Sequence, residues 1–176
     1  MVYGIRLSGR SLPQAILPLT TIGYAAPGAV LGIGILVPLG IADNWVADRV
    51  LDLTGYDPGL IFTGTAFAII LAYCVRFFSI AQHTVDGAFG RISPSLPNAA
   101  QSLGRNKLQV LLQIYRPLIS TSTATALLLI FVDCVKELPA TMLLRPFNFE
   151  TLATRVHVQA SLEDLPNAAP GSILIV

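Results

Sequence analysis

The sequence predicts an all-α membrane protein, because it carries few charges and contains long apolar segments. Only 12% of its residues are charged, against about 25% in an average soluble domain, and the mean hydropathy is +0.68. No charged residue occurs between Ile16 and Ala42, which is longer than the roughly 20 apolar residues that a helix needs to cross a bilayer. A soluble helical bundle would leave this uncharged segment unexplained.

Three complete membrane spans and one partial span are expected. The complete spans cover residues 16–42, 58–80 and 118–138. In the first of them Gly28 and Gly32 are four residues apart, a spacing of small residues that lets a neighbouring membrane helix pack closely. A further apolar segment starts at about residue 167 and has too few residues to cross a bilayer, so we expect a truncated fourth span in a fragment of a longer protein.

The charges of the connecting segments predict the orientation of these spans, since cytoplasmic loops are enriched in lysine and arginine. The segment between the first and second spans carries four aspartates and one arginine, which favours an external location. The segment between the second and third spans carries three arginines and one lysine against one aspartate, which favours the cytoplasm. The region after Arg145 is then expected outside.

The predicted cytoplasmic loop, residues 82–117, contains a short amphipathic helix. Its apolar residues follow helical spacing at Leu96, Ala99, Ala100 and Leu103. We expect Gly104 to end this helix in a left-handed conformation, and a second helix from Lys107 to about Tyr115 to lead into the third span. The short helix either lies on the membrane surface or fits a groove of a cytoplasmic protein.

This loop resembles the EAA loop of ABC importer permeases. Residues 98–104 read NAAQSLG, and residues 114–117 read IYRP. The positions that match the family pattern are Ala99, Ala100, Gly104, Ile114 and Pro117. Asn98 stands where the family has glutamate, and Arg116 stands where it has leucine. The resemblance implies that Asn98 and the matching residues couple the protein to ATPase subunits through cytoplasmic coupling helices.

The resemblance extends along essentially the whole chain and is closest to the second half of ferric-iron permeases. The segments that carry it are GYAAPGAVLGIGILVP (23–38), AYCVRF (72–77), RISPSLPNAAQSLG (91–104) and KELPATMLLRPFNFETLA (136–153). It implies the helical bundle of a type I ABC importer permease, of which residues 1–176 form part of the transmembrane domain. Such a protein is a multi-pass component of the bacterial inner membrane.

The resemblance also implies a function and a set of partners. The function is the permease subunit of an ATP-driven importer for ferric iron. The partners are cytoplasmic ABC ATPase subunits, an external periplasmic substrate-binding protein, membrane lipid, and the remaining half of the permease or a second copy. Two alternatives stay open: a permease of the same fold for thiamine, sulfate or a polyamine, and a membrane scaffold that does not transport.

Charged residues cluster at the end of the third span, at Asp133, Lys136 and Glu137, just before Pro139. Counted from Leu118, Asp133 lies about 22 Å and Glu137 about 28 Å from the cytoplasmic face. These residues either form a local ion pair that closes the helix or line the outer mouth of a translocation path. Pro139 loosens the helix in both cases, and the family resemblance favours the path.

The other polar residues indicate no catalytic or metal site. Arg76 is expected about 6 Å from the cytoplasmic boundary, where its side chain reaches water without a partner and lies too far from Asp133 to pair with it. His83 and His157 are isolated in the sequence, and no metal or cofactor is expected. The sequence has no phosphate-binding loop and no sign of nucleic-acid binding, so we expect no enzyme activity in this chain and ATP hydrolysis in a partner subunit.

Overall fold

The computed structural model describes residues 19–176, which fold into a bundle of helices of very different lengths. The helices are α1 (Leu19–Ala25), α2 (Gly28–Thr54), α3 (Ala66–Gly90), α4 (Ser95–Ser102), α5 (Lys107–Val110), α6 (Arg116–Lys136), α7 (Pro139–Leu144), α8 (Leu152–Ser161) and α9 (Leu165–Ile175). A π-helical segment, Leu111–Tyr115, joins α5 to α6 without a break.

Three helical stretches in the described part of the chain are long and apolar enough to cross a membrane. They are Gly28–Thr54, Ala66–Gly90 and Lys107–Lys136. The predicted fold class, an all-α protein with three complete spans, is confirmed. The fourth apolar segment lies in α9, which contains Pro170.

The first predicted span, residues 16–42, has different bounds in the structure. Residues 16–18 lie outside the described residues, and α2 begins only at Gly28 because Pro27, its N-cap residue, separates it from α1. At its other end α2 continues through the aspartate-rich segment expected to be a loop. It stops at Gly55, whose positive φ of 69° allows the backbone amide to bond the carbonyl of Leu51.

The second and third spans also differ from their predicted bounds. Residues 58–65 are not helical, and α3 runs from Ala66 to Gly90 instead of covering 58–80. The third span was expected to end at 138, whereas α6 ends at Lys136 and Glu137 is extended, with φ −71° and ψ 112°. Pro139 contributes to this break, because its nitrogen carries no hydrogen to continue the helical hydrogen bonds of α6, and a proline suits the first turn of the next helix.

The buried core lies where α2, α3 and α7 meet. It is formed by Leu31 of α2, Ala68, Ile69 and Ala72 of α3, and Leu144 of α7. Alanines at this crossing let the helices approach closely, which is how membrane helices gain packing energy in lipid. Elsewhere α1 and α6 pack on α3, and α8 packs on α9.

The loop between α2 and α3 is tied to α2 by a buried carboxylate. Asp43 is fully buried, and its oxygens accept hydrogen bonds from the backbone amides of Ile61, Phe62 and Thr63 at 2.7–2.9 Å and from the Thr63 hydroxyl. A buried carboxylate is stable only when it is bonded in this way. Asp43 therefore fixes the loop against the middle of α2 instead of lying free in an external segment.

Candidate functional site

The connection between α3 and α6 presents exposed apolar side chains. Leu96 of α4 is 49% exposed, and Leu103 and Leu108, which follow α4 and begin α5, are 84% and 62% exposed. Asn98, Ala99 and Gly104 are exposed and Ala100 is half-buried. Since an isolated helix of this length is marginal in water, α4 needs a partner surface for this apolar face.

The end of α4 has the geometry predicted for it. Gly104 adopts φ 83°, and the amides of Gly104 and Arg105 bond back to the carbonyls of Gln101 and Ala100 at 2.9 and 3.0 Å. This is the Schellman arrangement, in which a residue with positive φ closes the helix. The prediction that Gly104 ends the helix in a left-handed conformation is confirmed.

Side chains on both sides of α4 fix the segments that flank it. The aromatic rings of Phe89, near the end of α3, and Tyr115, in the π segment, have centroids 4.8 Å apart. Asn106 caps α5 by accepting a hydrogen bond from the Gln109 amide at 2.8 Å, and Val110 is buried. Ile114 is half-buried in the π segment, while Pro117 is exposed in the first turn of α6.

A second polar site lies at the break between α6 and α7. Glu137 is 6% exposed and lies beside Arg76 of α3, with 3.1 Å between Oε2 and the Arg76 Nε atom. Its other oxygen, Oε1, accepts a hydrogen bond from the Ala140 amide at 3.1 Å. The glutamate therefore caps α7 with one oxygen and neutralises the arginine of α3 with the other.

Arg76 reaches a third segment as well. Its Nη1 atom donates to the carbonyl of Ala26 at 3.4 Å, in the connection between α1 and α2. The Nε atom is buried and close to Glu137, but its N–H is not aligned for a hydrogen bond. The contact between Arg76 and Glu137 is therefore an ion pair that satisfies the arginine incompletely.

Gly28, the first residue of α2, makes room for this pair. A methyl group at its Cα would lie 2.8 Å from Glu137 Oε1, 3.0 Å from Arg76 Nη1 and 3.2 Å from Pro139 Cβ. One turn along, a methyl group at Gly32 would lie 3.0 Å from Leu143 Cδ1 and 3.4 Å from the Ala140 Cα. Both glycines of the GxxxG pattern thus face α7 and the break before it.

The ion pair borders a pocket of about 330 Å³. The pocket is lined by Tyr24, Arg76, Phe77, Asp133, Lys136 and Glu137. All three charged residues singled out at the end of the third span line it, and Pro139 is exposed at the start of α7. Within the described residues no ion pair joins Asp133 to Lys136, so the alternative of a local pair is not observed, and Glu137 pairs with Arg76 of α3.

The prediction for Arg76 was wrong. The side chain was expected to reach water without a partner, whereas Arg76 lies inside α3, about 21 Å along the helix from its end at Gly90. The side chain has a partner, Glu137, and lines the same pocket as Asp133. The prediction placed Arg76 near the end of a span that stops at residue 80, whereas α3 continues to Gly90.

Sequence reasoning also missed two polar contacts between segments. One is the set of bonds that Asp43 accepts from the loop before α3. The other joins the Tyr73 hydroxyl of α3 to the Thr141 hydroxyl of α7 at 2.7 Å, with Thr141 fully buried. Tyr73 precedes Arg76 by three residues and Glu137 precedes Thr141 by four, so the sequence signal available was two polar pairs at matching spacing.

The remaining candidates stay outside both sites. His83 and His157 are exposed, and among residues 19–176 no three histidine, cysteine or acidic side chains come close enough to hold a metal ion. Cys74 and Cys134 are free thiols.

Comparison with known proteins assigns the chain a family. The family described as binding-protein-dependent transport system inner membrane component matches residues 1–152.

Three relatives illustrate the similarity. The Fe(3+)-transport system permease protein FbpB 2 of Haemophilus influenzae is 32% identical over 112 residues, which cover 64% of this chain and 22% of that protein. The putative ferric transport system permease protein FbpB 1 of the same organism is 28% identical over 168 residues, covering 92% and 25%. The putative 2-aminoethylphosphonate transport system permease protein PhnV of Salmonella typhimurium is 26% identical over 183 residues, covering 93% and 68%. The chain spans about a quarter of the length of these ferric permeases.

Proposed function

Because the chain belongs to the family of binding-protein-dependent transport system inner membrane components, we propose that it is part of the permease subunit of an ATP-driven importer. The cargo is ferric iron, the substrate class named for the ferric permeases it resembles. An external binding protein delivers the cargo, and separate cytoplasmic ATPase subunits hydrolyse ATP. The chain itself carries no catalytic function.

The observation that supports this proposal best is the exposed face of α4. Leu96, Ala99, Leu103 and Leu108 are exposed between two membrane-crossing helices. Arg91, Arg105 and Lys107 are exposed and close to them in the sequence, so the segment combines apolar side chains with positive charge and suits a groove with an acidic rim. The ATPase subunit is the occupant that the family implies for such a groove.

The helices next to α4 provide a physical route for coupling. The helix from Lys107 to Lys136 is continuous through its π segment, and the ring contact between Phe89 and Tyr115 joins it to α3. A force on α4 and Gly104 would thus act on α3 and α6 together. When ATP closes the ATPase subunits, α3 and α6 tilt, and the path opens towards the outside.

The translocation path passes the pocket at the break between α6 and α7. Asp133, Lys136 and Glu137 bring charge into a membrane-crossing helix, where ionisable groups usually face a cavity or a partner helix. Pro139 has no N–H that could continue the hydrogen bonding of α6, so the chain breaks there and begins α7. Gly28 and Gly32 let α2 pack against α7 and the break before it.

The coupling role of α4 is tested by Gly104→Asp in the complete permease with its ATPase. The variant places a negative charge between Leu103 and Arg105, and we expect iron uptake to fall at least about tenfold while membrane insertion and ATP hydrolysis persist. Gly104→Asn is the matched control, because asparagine also tolerates a positive φ and has the same size without the charge. Normal uptake by Gly104→Asp would count heavily against a docking role for this helix.

The cargo is tested by competition. Uptake of labelled ferric iron is measured against an excess of unlabelled ferric iron, 2-aminoethylphosphonate, thiamine, sulfate or a polyamine. We expect competition from ferric iron alone. Competition by 2-aminoethylphosphonate would transfer the assignment to the cargo named for the PhnV relatives. Failure of the complete protein to co-purify with any ATPase would favour a scaffold that does not transport.

A further inference from the structure

We propose that Arg76 exchanges partners during the transport cycle, from Glu137 in the state described here to Asp133 in a second state. The proposal rests on the permease function proposed above and concerns the same pocket. It makes Arg76 a positioning residue, because it acts by holding the break between α6 and α7 rather than by an established contact with cargo.

The first observation is the place of the ion pair in the fold. Arg76 of α3 contacts Glu137 at the end of α6 and the Ala26 carbonyl before α2, and Gly28 of α2 lies against both charged groups. Three membrane-crossing helices therefore meet at one charge pair. Any sliding of α3 along α6 has to stretch or break it.

The second observation is that the pair is incompletely satisfied and partly open. The Arg76 Nε–H is not aligned on the carboxylate, and the Arg76 side chain is 19% exposed beside the pocket. Among the described residues, the Ala140 amide donates the aligned hydrogen bond that fixes Glu137 independently of the arginine. Glu137 can therefore keep this bond when Arg76 moves away.

The third observation is a second carboxylate at helical spacing. Asp133 lines the same pocket as Arg76, is half-buried, and precedes Glu137 by four residues. One helical turn, about 5.4 Å, separates such positions, and packed helices are known to shift by one turn between two stable states. Arg76 can thus pass from one carboxylate to the other without leaving its charge unpaired in a region of low dielectric.

Removing Glu137 or removing Asp133 should then shift the populations of the two states in opposite directions. Glu137→Gln keeps an acceptor for the Ala140 amide and removes only the partner used in the state described here, so the second state gains population. Asp133→Asn removes the other partner, so the present state gains population. A purely structural role for these charges predicts no such opposition.

The contact between Tyr73 and Thr141 offers a readout on the same interface. Their hydroxyls are 2.7 Å apart, and neither residue belongs to the charge cluster. Tyr73→Cys and Thr141→Cys are introduced together into the complete permease, with Cys74→Ala and Cys134→Ala to remove native thiols. A short thiol-specific bifunctional reagent then reports how often α3 and α7 are in this register.

The experiment measures the cross-linked fraction of the purified permease with its ATPase, without nucleotide and with trapped ATP. We expect ATP to lower the fraction at least threefold, Glu137→Gln to lower it similarly without ATP, and Asp133→Asn to keep it high with ATP. Glu150→Gln is the control, because it breaks the exposed contact between Arg145 and Glu150, 4.0 Å long, and should change the fraction less than 1.5-fold.

Equal changes in Glu137→Gln and Asp133→Asn, or no change in either, would overturn partner exchange. If Glu137→Gln does not yield a folded protein, Glu137→Asp replaces it. Its shorter side chain is expected to lower the cross-linked fraction to a smaller extent. An unchanged cross-linked fraction in this variant would also overturn partner exchange. Failure of iron uptake in the unmodified protein would refute the proposed cargo and leave these ratios unaffected.

Discussion

Gly28→Ala in α2 is the perturbation whose effect the structure defines most sharply. In a helix interior this change stabilises by about 1 kcal/mol, because alanine has the higher helix propensity, and at a first helical residue such as Gly28 the gain is smaller. Here the added methyl group would lie 2.8 Å from Glu137 Oε1 and 3.2 Å from Pro139 Cβ. Neither atom can retreat easily, since the carboxylate is held by Arg76 and the Ala140 amide and the proline ring is rigid.

The loss of stability is measured against two control substitutions in the same helix. Gly34 and Gly40 have no described atom within 4 Å of such a methyl group, so alanine there should show the propensity gain alone. Overpacking typically costs about 1–3 kcal/mol. Gly28→Ala is therefore expected to be about 1–3 kcal/mol less stable than either control, roughly a fivefold to more than a hundredfold difference in the unfolding equilibrium.

The assay is equilibrium unfolding of the complete protein in mixed micelles by titration with a denaturing detergent, followed by intrinsic fluorescence. Wild type and the three alanine variants are compared under one condition. If Gly28→Ala proves as stable as Gly34→Ala and Gly40→Ala, the close packing of α2 against the ion pair does not exist in the membrane-embedded protein.

Two further predictions concern local stability. Asp43→Asn places an amide nitrogen against the hydrogen-bond donors of Thr63, so we expect the loop before α3 to lose about 2–3 kcal/mol of stabilising free energy. The loss would be seen as faster proteolysis at residues 55–65. The substitution Asp48→Asn, at an exposed aspartate, should leave the proteolysis rate unchanged. Asn106→Ala removes the cap of α5 and should lower the stability of this helix by about 1 kcal/mol, which predicts about fivefold faster hydrogen exchange at the Gln109 amide. An unchanged exchange rate would contradict the capping role of Asn106.

Local features of the sequence predicted the helices well. The apolar segments that indicate three spans, and the glycine after α4, act through composition and short-range backbone geometry, which a sequence displays directly. Gly104 is the clearest case, because its positive φ was expected from its place after an amphipathic turn. Exact bounds were less accessible, since Pro27 and Pro139 could break a helix or only bend it.

Contacts between distant segments could not be predicted with the same success. The pairing of Arg76 with Glu137 depends on how far α3 extends past residue 80 and on how α6 crosses it. Asp43 was assigned to an external loop because it is the first charge after a long apolar segment, and nothing in the local sequence announces that residues 61–63 return to bond it. Such pairings are decided by tertiary packing, which periodicity does not encode.

The π segment between α5 and α6 determines which side of the third membrane-crossing helix faces the pocket. There the Arg116 amide bonds the carbonyl of Leu111, five residues earlier, so the turn holds one residue more than an α-helical turn. Each residue rotates an α-helix by about 100°. Deleting Gln113 would leave a regular apolar helix and turn Asp133 and Lys136 away from Arg76. The chemistry of the pocket is therefore encoded partly by a residue count some twenty positions upstream of it.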